Sequence, residues 1–396
     1  MAKTKSVIAE KKNSSNKDLS NELIGAINSQ FKGSLAASAH YLADPEVLTD
    51  VKQWIPSGCT PLDFAISNRA GGGFPSGRIC EIVGWEASGK SLLVAYALSN
   101  TQKAGGIAVY IDTESAVSSE YLTAIGVDID SLIYIQQEAL EDIFATIETI
   151  IEKVRLSDKK RLVTIVVDSI MGATTHKELE AEWGKDGYAT DKALILSKAM
   201  RKITGMISKQ NICLLFTNQL RQKLGVMFGD NFTTSGGKAL AFHSSVRIKL
   251  ESIGKITVKG KGGNDEIVGI KTRAKVIKNR LGPPLRSVEY NIFFNSGIDD
   301  YSSWFELLKN KNVITTSGPW NILKLEAPMQ IVKEDSEVVT VSDLRFYTKD
   351  FQFLVSTNKE LKNYLYSLLC KYMILEYKIN EDFTSDDVTI DSNVEE

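Results

Sequence analysis

The stretch Gly84-Trp85-Glu86-Ala87-Ser88-Gly89-Lys90-Ser91 leaves this chain the fewest choices. It has the form G-x-x-x-x-G-K-S, a glycine loop whose backbone N–H groups can close around phosphate oxygens. An apolar run, Ile79-Cys80-Glu81-Ile82-Val83, leads in like a buried strand, and Ser91 to Leu98 leads out like a helix. Strand, loop and helix in that order bring the loop's N–H groups and the positive end of the helix dipole to one anion. In this geometry Lys90 reaches the β- and γ-phosphates and the Ser91 hydroxyl takes Mg²⁺.

Further apolar runs repeat the pattern. Ile107 to Asp112 ends in Asp112-Thr113-Glu114, Leu162 to Ser169 carries Asp168, and Ile212 to Gln219 ends in Asn218-Gln219. A shorter strand is expected at Leu132 to Ile135. Ile143, Phe144, Ile147, Ile150, Ile151 and Val154 mark one helix face, and a second helix is expected over Lys192 to Gln210. Continuous apolar strands alternating with helices predict an α/β fold, a mostly parallel central sheet covered on both faces. Ligands of such sheets bind beyond the carboxyl ends of the strands. The glycine loop, Glu114, Asp168 and Gln219 all fall there, as one converging site.

Beyond Gln219 the pattern changes. Residues 220–241 are rich in Gly, Thr and Ser and read as a functional loop. Strands resume at Val246 to Leu250, Ile267 to Asn279 and Ser287 to Phe294, the second alternating as an antiparallel strand with one wet face would. Between Arg201 and Arg286 there are seventeen Lys or Arg against four acidic residues, within a chain of net charge −2. That local field suits a polyanion groove better than a merely solvated hairpin face.

The expected organisation is an N-terminal tail and packing helix over 1–50, a catalytic core over 51–300, a small C-terminal domain over 301–378 and an acidic tail over 379–396. Leu23, Ile24, Ile27 and Phe31 lie at helical spacing, on a helix that packs on its own domain or on a neighbouring subunit. The tail has seven acidic side chains and no basic one; it reads either as a screen competing with nucleic acid or as a solubilising terminus. Cys59, Cys80, Cys213 and Cys370 form no C-x-x-C pair, which favours reduced thiols in a cytoplasmic setting over a disulfide framework or zinc site. No signal peptide and no apolar run long enough for a membrane helix is expected.

Asn218 to Gly229 followed by Thr233-Thr234-Ser235-Gly236-Gly237-Lys238-Ala239-Leu240 resembles the second DNA-binding loop of bacterial RecA recombinases. Gly77 to Gly84, Tyr110 to Glu114, Val166 to Ser169 and Lys275 to Arg280 are similar to that family's other segments, in order from about residue 18 to about 315. The resemblance implies a RecA-type P-loop NTPase core, a DNA-dependent ATPase whose ATP-bound protomers form a helical filament on single-stranded DNA and exchange strands with a homologous duplex. It also implies ATP and Mg²⁺ as cofactors, with single-strand-binding and loader proteins as further partners and no membrane. ATP would be held by Gly84 to Leu92 with Tyr121 near the adenine. Glu114 would polarise the attacking water, Ser91 and Asp168 would serve the Mg²⁺, and Gln219 would sense the γ-phosphate. Lys278 and Arg280 would reach a neighbouring protomer's nucleotide, with Phe242 at that interface. Arg201, Arg221, Lys223, Thr234, Ser235, Gly236 and Gly237 would contact DNA.

The sequence departs from the family at four places. Arg280 stands where Lys is usual, Ser118 where Asp is expected and Phe294 where Tyr is expected; Trp183 to Leu194 matches the first DNA loop poorly. A divergent or phage-encoded member fits these departures. Two other classes share parts of the pattern: a ring-forming helicase with the same core, and a filament that binds ATP without hydrolysing it.

Overall fold

A β-strand that is apolar on both sides can lie only inside a sheet covered on both faces, and the chain has four such runs in its first 220 residues or so. In the computed structural model they form the middle of a ten-stranded sheet. The structure describes residues 17–30, 39–41 and 51–377, apart from 159, 182–188, 209, 223–231, 235–236, 261–263 and 335. The chain divides into two compact units, Met1–Asp50 and Val51–Glu396. In the first, helix α1 (17–30) has Leu19, Leu23 and Ile27 exposed at helical spacing.

The second unit opens with β1 (Trp54–Ile55), α2 (Thr60–Ser67) and β2 (Phe74–Pro75). Next come β3 (Arg78–Gly84), α3 (Lys90–Lys103), β4 (Ile107–Asp112), α4 (Ser119–Ile125), β5 (Ile133–Gln136) and α5 (Leu140–Ser157). They are followed by β6 (Val163–Asp168), α6 (His176–Glu180), α7 (Ala189–Ile207), β7 (Ile212–Gln222), β8 (Phe232–Thr234) and α8 (Ala239–His243). A run of strands closes the sheet: β9 (Val246–Lys259), β10 (Asp265–Asn279), β11 (Ser287–Phe293) and β12 (Gly297–Asp299).

The strand order is β12-β11-β10-β9-β3-β7-β6-β4-β5. From β9 to β5 the neighbours are parallel; β10, β11 and β12 add antiparallel. Alternate residues of each strand feed two cores. Cys80, Ile82, Val166 and Leu215 pack with α3 on one face, while Ile79, Ile165, Leu214 and Phe216 pack with α5 and α7 on the other. Each such side chain contributes on the order of 1.5–3 kcal/mol by leaving water.

Beyond the sheet lie α9 (Asp300–Asn310), β13 (Ile314–Ser317), β14 (Trp320–Val332), β15 (Val338–Phe346), α10 (Phe351–Thr357) and α11 (Lys359–Met373). The three strands form an antiparallel sheet of their own. Trp304, Phe305, Phe346, Leu365 and their neighbours share a core into which α2 inserts Phe64.

Two segments differ from the sequence reading. The stretch expected to be an open loop after Gln219 begins as strand: β7 runs on to Gln222 and pairs antiparallel with β8, Leu220 opposite Thr234. Leu220 is buried, so the apolar alternation of β7 continues past its polar tip. The polar segment after Asp168 contains α6, started by a capping box in which Glu178 N donates to Thr175 Oγ1 (3.2 Å) and Thr175 N donates to Glu178 Oε2 (2.9 Å).

Candidate nucleotide site and basic face

Register brings the sequence candidates to one end of the sheet. Gly84, where the glycine loop begins, is level with Gln219 on β7 and Leu250 on β9, and Asp112 on β4 is level with Asp168 on β6. Gly84 admits no side chain, since a Cβ there would meet the Leu250 carbonyl oxygen and Ser88 Oγ at 2.6 Å. Gly89 takes φ 94° just before α3, a conformation glycine adopts without strain. The first turn of α3 therefore points its unpaired N–H groups into the loop.

Lys90 is buried and donates from Nζ to the carbonyls of Gly84 (3.2 Å) and Trp85 (2.7 Å). Burial lowers its pKa, and Asp168, Glu114 and Glu86 oppose that shift. Its ammonium thus lies within the field of three carboxylates and close to the helix end. Such a cradle, with no room for a Cβ at Gly84 and with the helix N-terminus facing it, fits the phosphates of a nucleoside triphosphate.

The acidic side chains beside it are individually held. Asp168 accepts from Tyr110 OH at 2.7 Å on Oδ2 and from Thr217 Oγ1 on Oδ1. Asp112 Oδ1 accepts the main-chain N–H groups of Glu114 and Ser115 at 2.9 Å each, and its Oδ2 accepts from Tyr134 OH. Glu114 Oε1 accepts from Ser169 Oγ at 2.5 Å, and Ser169 Oγ in turn accepts from Gly172 N. A Cβ on Gly172 would come within 2.6 Å of Glu114 Cγ, so glycine makes room for the acid.

Ser91, Asp112, Glu114, Ser118, Tyr121 and Asp168 line a cavity of about 190 Å³. On its far side Tyr121 also borders an apolar cavity of about 290 Å³ with Leu92, Ile292 and Phe294. Ser118 Oγ is occupied as the cap of α4, accepting from Tyr121 N. Ser91 and Asp168 are the oxygen donors that fit a hard cation here.

Lys278 and Arg280 are not at this end. In the antiparallel register Lys278 faces Arg247, while Ala274, four residues earlier, is the one level with Leu250 and so with Gly84. Four residues of strand span roughly 13 Å. Lys278 Nζ donates to the carbonyls of Ala241 and Phe242 at 2.8 Å each, and Arg280 donates to the Phe242 carbonyl at 3.1 Å. Both cations cap the last turn of α8, whose Phe242 is 68% exposed. Burial first, then Arg280 and Arg247, push the Lys278 pKa down to about 8, with Glu81 acting the other way.

Of the expected DNA residues, Arg201 on α7 and Arg221 on β7 are exposed. Arg201, Lys238, Phe242 and His243 line a cleft of about 480 Å³ between α7 and α8. Thr234 ends β8 and Gly237 follows at φ 75°. Lys223, Ser235 and Gly236, like 183–188 at the start of the poorly matching segment and the acidic tail, lie outside the described residues.

Some supporting residues escaped the sequence reading. Tyr110, Thr217, Ser169 and Gly172 are polar or small positions whose partners are set only by register. Glu81 did leave a signal, as an acid in the middle of an apolar strand.

A glycine loop between a central strand and its helix, with acids on the two parallel strands β4 and β6, defines a P-loop NTPase core. Residues 22–299 match the family model for the RecA N-terminal domain. Protein RecA of Citrifermentans bemidjiense is 38% identical over 279 residues, 70% of this chain and 78% of that protein. Protein RecA of Borrelia hermsii is 42% identical over 67% of this chain and 71% of that protein, and Protein RecA 2 of Myxococcus xanthus 38% over 75% and 78%. The chain belongs to the RecA family. Among the described residues no helix is long and apolar enough to cross a membrane.

Proposed function

We propose that ATP is bound and hydrolysed between adjacent protomers of a filament, with the P-loop end of one and the α8 end of the next forming a composite site. As a RecA-family member the protein is a DNA-dependent ATPase and recombinase that binds nucleotide and single-stranded DNA and assembles into filaments. The observation that supports the composite reading is the register: Lys278 is level with Glu81 in the middle of β3, short of the P-loop level at Gly84, and both Lys278 and Arg280 turn to the carbonyls of α8.

In this reading the loop from Gly84 to Leu92 holds the phosphates and Lys90 neutralises the β- and γ-oxygens. Ser91 and Asp168 would hold a Mg²⁺, which would supply charge neutralisation at the transferring phosphoryl group. Glu114, fixed by Ser169 Oγ, orients the attacking water and takes its proton. Gln219 senses the γ-phosphate at the root of the hairpin that Arg221 begins. Lys278 and Arg280 supply cations in trans. Tyr121 stacks near the adenine, beside the apolar cavity bounded by Phe294.

DNA runs along the face bearing Arg201 and Arg221, with Lys223, Thr234, Ser235, Gly236 and Gly237 as further contacts. A homologous duplex is the second substrate, and single-strand-binding and loader proteins are accessory partners. The small C-terminal unit over 301–378 stands apart from this chemistry.

Mixing tests the arrangement. Lys90→Ala and Lys278→Ala/Arg280→Ala chains, each inactive alone, should recover part of the DNA-stimulated phosphate release when combined on single-stranded DNA. Mixtures as inactive as their components would refute the shared site.

A further inference from the structure

Glu81 is a fully buried charge in the middle of β3. A carboxylate there loses its hydration and must be paired. Both neighbouring strands supply partners. Arg247 of β9 donates from Nε to Oε2 at 2.6 Å, and Asn218 of β7 donates from Nδ2 to Oε1 at 3.1 Å. Asn218 Oδ1 accepts from the main-chain N of Gln219 at 3.0 Å. On the other side Arg247 is the cross-strand partner of Lys278.

These contacts run from Gln219, level with the P-loop, to Arg247, whose cross-strand neighbour is Lys278 under α8. Glu81 shares the sheet face of Ile79, which packs with Phe216 and with Leu240 of α8. A buried ion pair is a poor device for stability, because a well-packed apolar pair does as well or better. Its best-attested use is to fix a register or a switch.

We propose that Glu81 is a positioning residue that ties Gln219 to the Lys278–Arg280 cluster, so that nucleotide at one P-loop readies the cations offered to the next. This rests on the composite site described above. Turning Gln219 toward a phosphate moves the amide that Asn218 holds, and Asn218 passes the change to the carboxylate. Arg247, on the other oxygen, carries it to Lys278.

The charges around Lys278 agree with this role. Arg280 beside it, Arg247 on β9 and His243 on α8 are all basic, and burial acts in the same sense. Glu81 is the acid that holds its proton on. Removing the Glu81 charge therefore drives the Lys278 pKa further down and leaves Arg247 without its carboxylate.

Glu81→Gln keeps the shape and removes the charge. Binding of a fluorescent ATP analogue without DNA should match the unaltered chain. The Hill coefficient for ATP in DNA-stimulated hydrolysis should exceed one in the unaltered chain and fall to about one in the variant. The alkaline limb of the pH–rate profile should move to lower pH.

Lys278→Ala is assayed alongside. A Glu81→Gln protein with the original Hill coefficient and limb, beside an inactive Lys278→Ala, overturns the tie and leaves the composite site standing. An active Lys278→Ala overturns both. Should Glu81→Gln fail to fold, Glu81→Gln/Arg247→Met removes the pair together; retention of the original cooperativity and limb there overturns the tie equally.

Discussion

At the P-loop end of the sheet the acids are held by hydroxyls and N–H groups of their own chain, as with Asp168 between Tyr110 and Thr217 and Glu114 on Ser169. At the other end Lys278 and Arg280 rest on carbonyl oxygens of α8 beside further positive charge. The first end has oriented acids, main-chain phosphate donors and one buried lysine. The second has Lys278, whose charge burial, Arg280 and Arg247 oppose and Glu81 favours. A phosphate group would relieve the second and complete the first. The register holds the two apart within one chain; the proposed composite site would join them between chains.

The sharpest way to break this comparison is to remove the second end. Replacing Lys278 and Arg280 by Ala should lower DNA-stimulated phosphate release by about 10³-fold or more, the usual worth of cations supplied in trans. Nucleotide binding to isolated protomers should stay intact, read by fluorescence titration without DNA. An equal loss of binding would place the cations in their own protomer's site.

Glu114→Gln attacks the first end alone. It should cost on the order of 10²–10⁴ in kcat, the range for a positioned base. Nucleotide-dependent filament formation on single-stranded DNA, seen by electron microscopy, should survive. Hydrolysis at the original rate would remove Glu114 from its role. Closed six-membered rings in the same images would favour the helicase class.

A smaller effect tests whether the acids' own-chain partners matter. Ser169→Ala removes the donor to Glu114 Oε1 and leaves the carboxylate free to turn. Hydrogen bonds to charged groups are worth about 1.5–3 kcal/mol, so kcat should fall roughly ten- to a hundredfold with KM little changed. Gly172→Ala, whose Cβ would press on Glu114 Cγ, should act in the same direction. A rise in KM at constant kcat would mean that Ser169 serves binding instead.

How much of this was legible beforehand differs between the two ends. The glycine loop, Glu114, Asp168 and Gln219 could be placed together because parallel strands bring all their carboxyl ends to one side. The antiparallel direction of β10 was also readable from its alternation. The bulges that set Lys278 opposite Arg247 were not, since register shifts leave no periodic mark. The pairing of β7 with β8 was missed for a related reason: a three-residue strand, Phe232–Thr234, reads as loop until a partner fixes it. Tyr110, Ser169 and Thr217 matter through hydrogen bonds across neighbouring strands, which spacing along one strand does not encode.

The smallest effect separates the ends by pH. Lys278 is pushed down to about 8 by burial and by Arg280 and Arg247, with His243 also nearby and Glu81 opposing. Its lowered value means the cation is present below about pH 8 and is lost as pH rises through it. In the proposed composite site a facing phosphate would act against that loss. The P-loop end has Lys90 lowered too, but bordered by three carboxylates that favour its charged form. DNA-stimulated hydrolysis should therefore decline on the alkaline side through the α8 end. Lys278→Arg keeps its charge at any pH the protein tolerates, so its alkaline limb should move to higher pH, with only a modest change at neutral pH. A limb that stays in place would assign the alkaline loss to another group and remove Lys278 from the comparison.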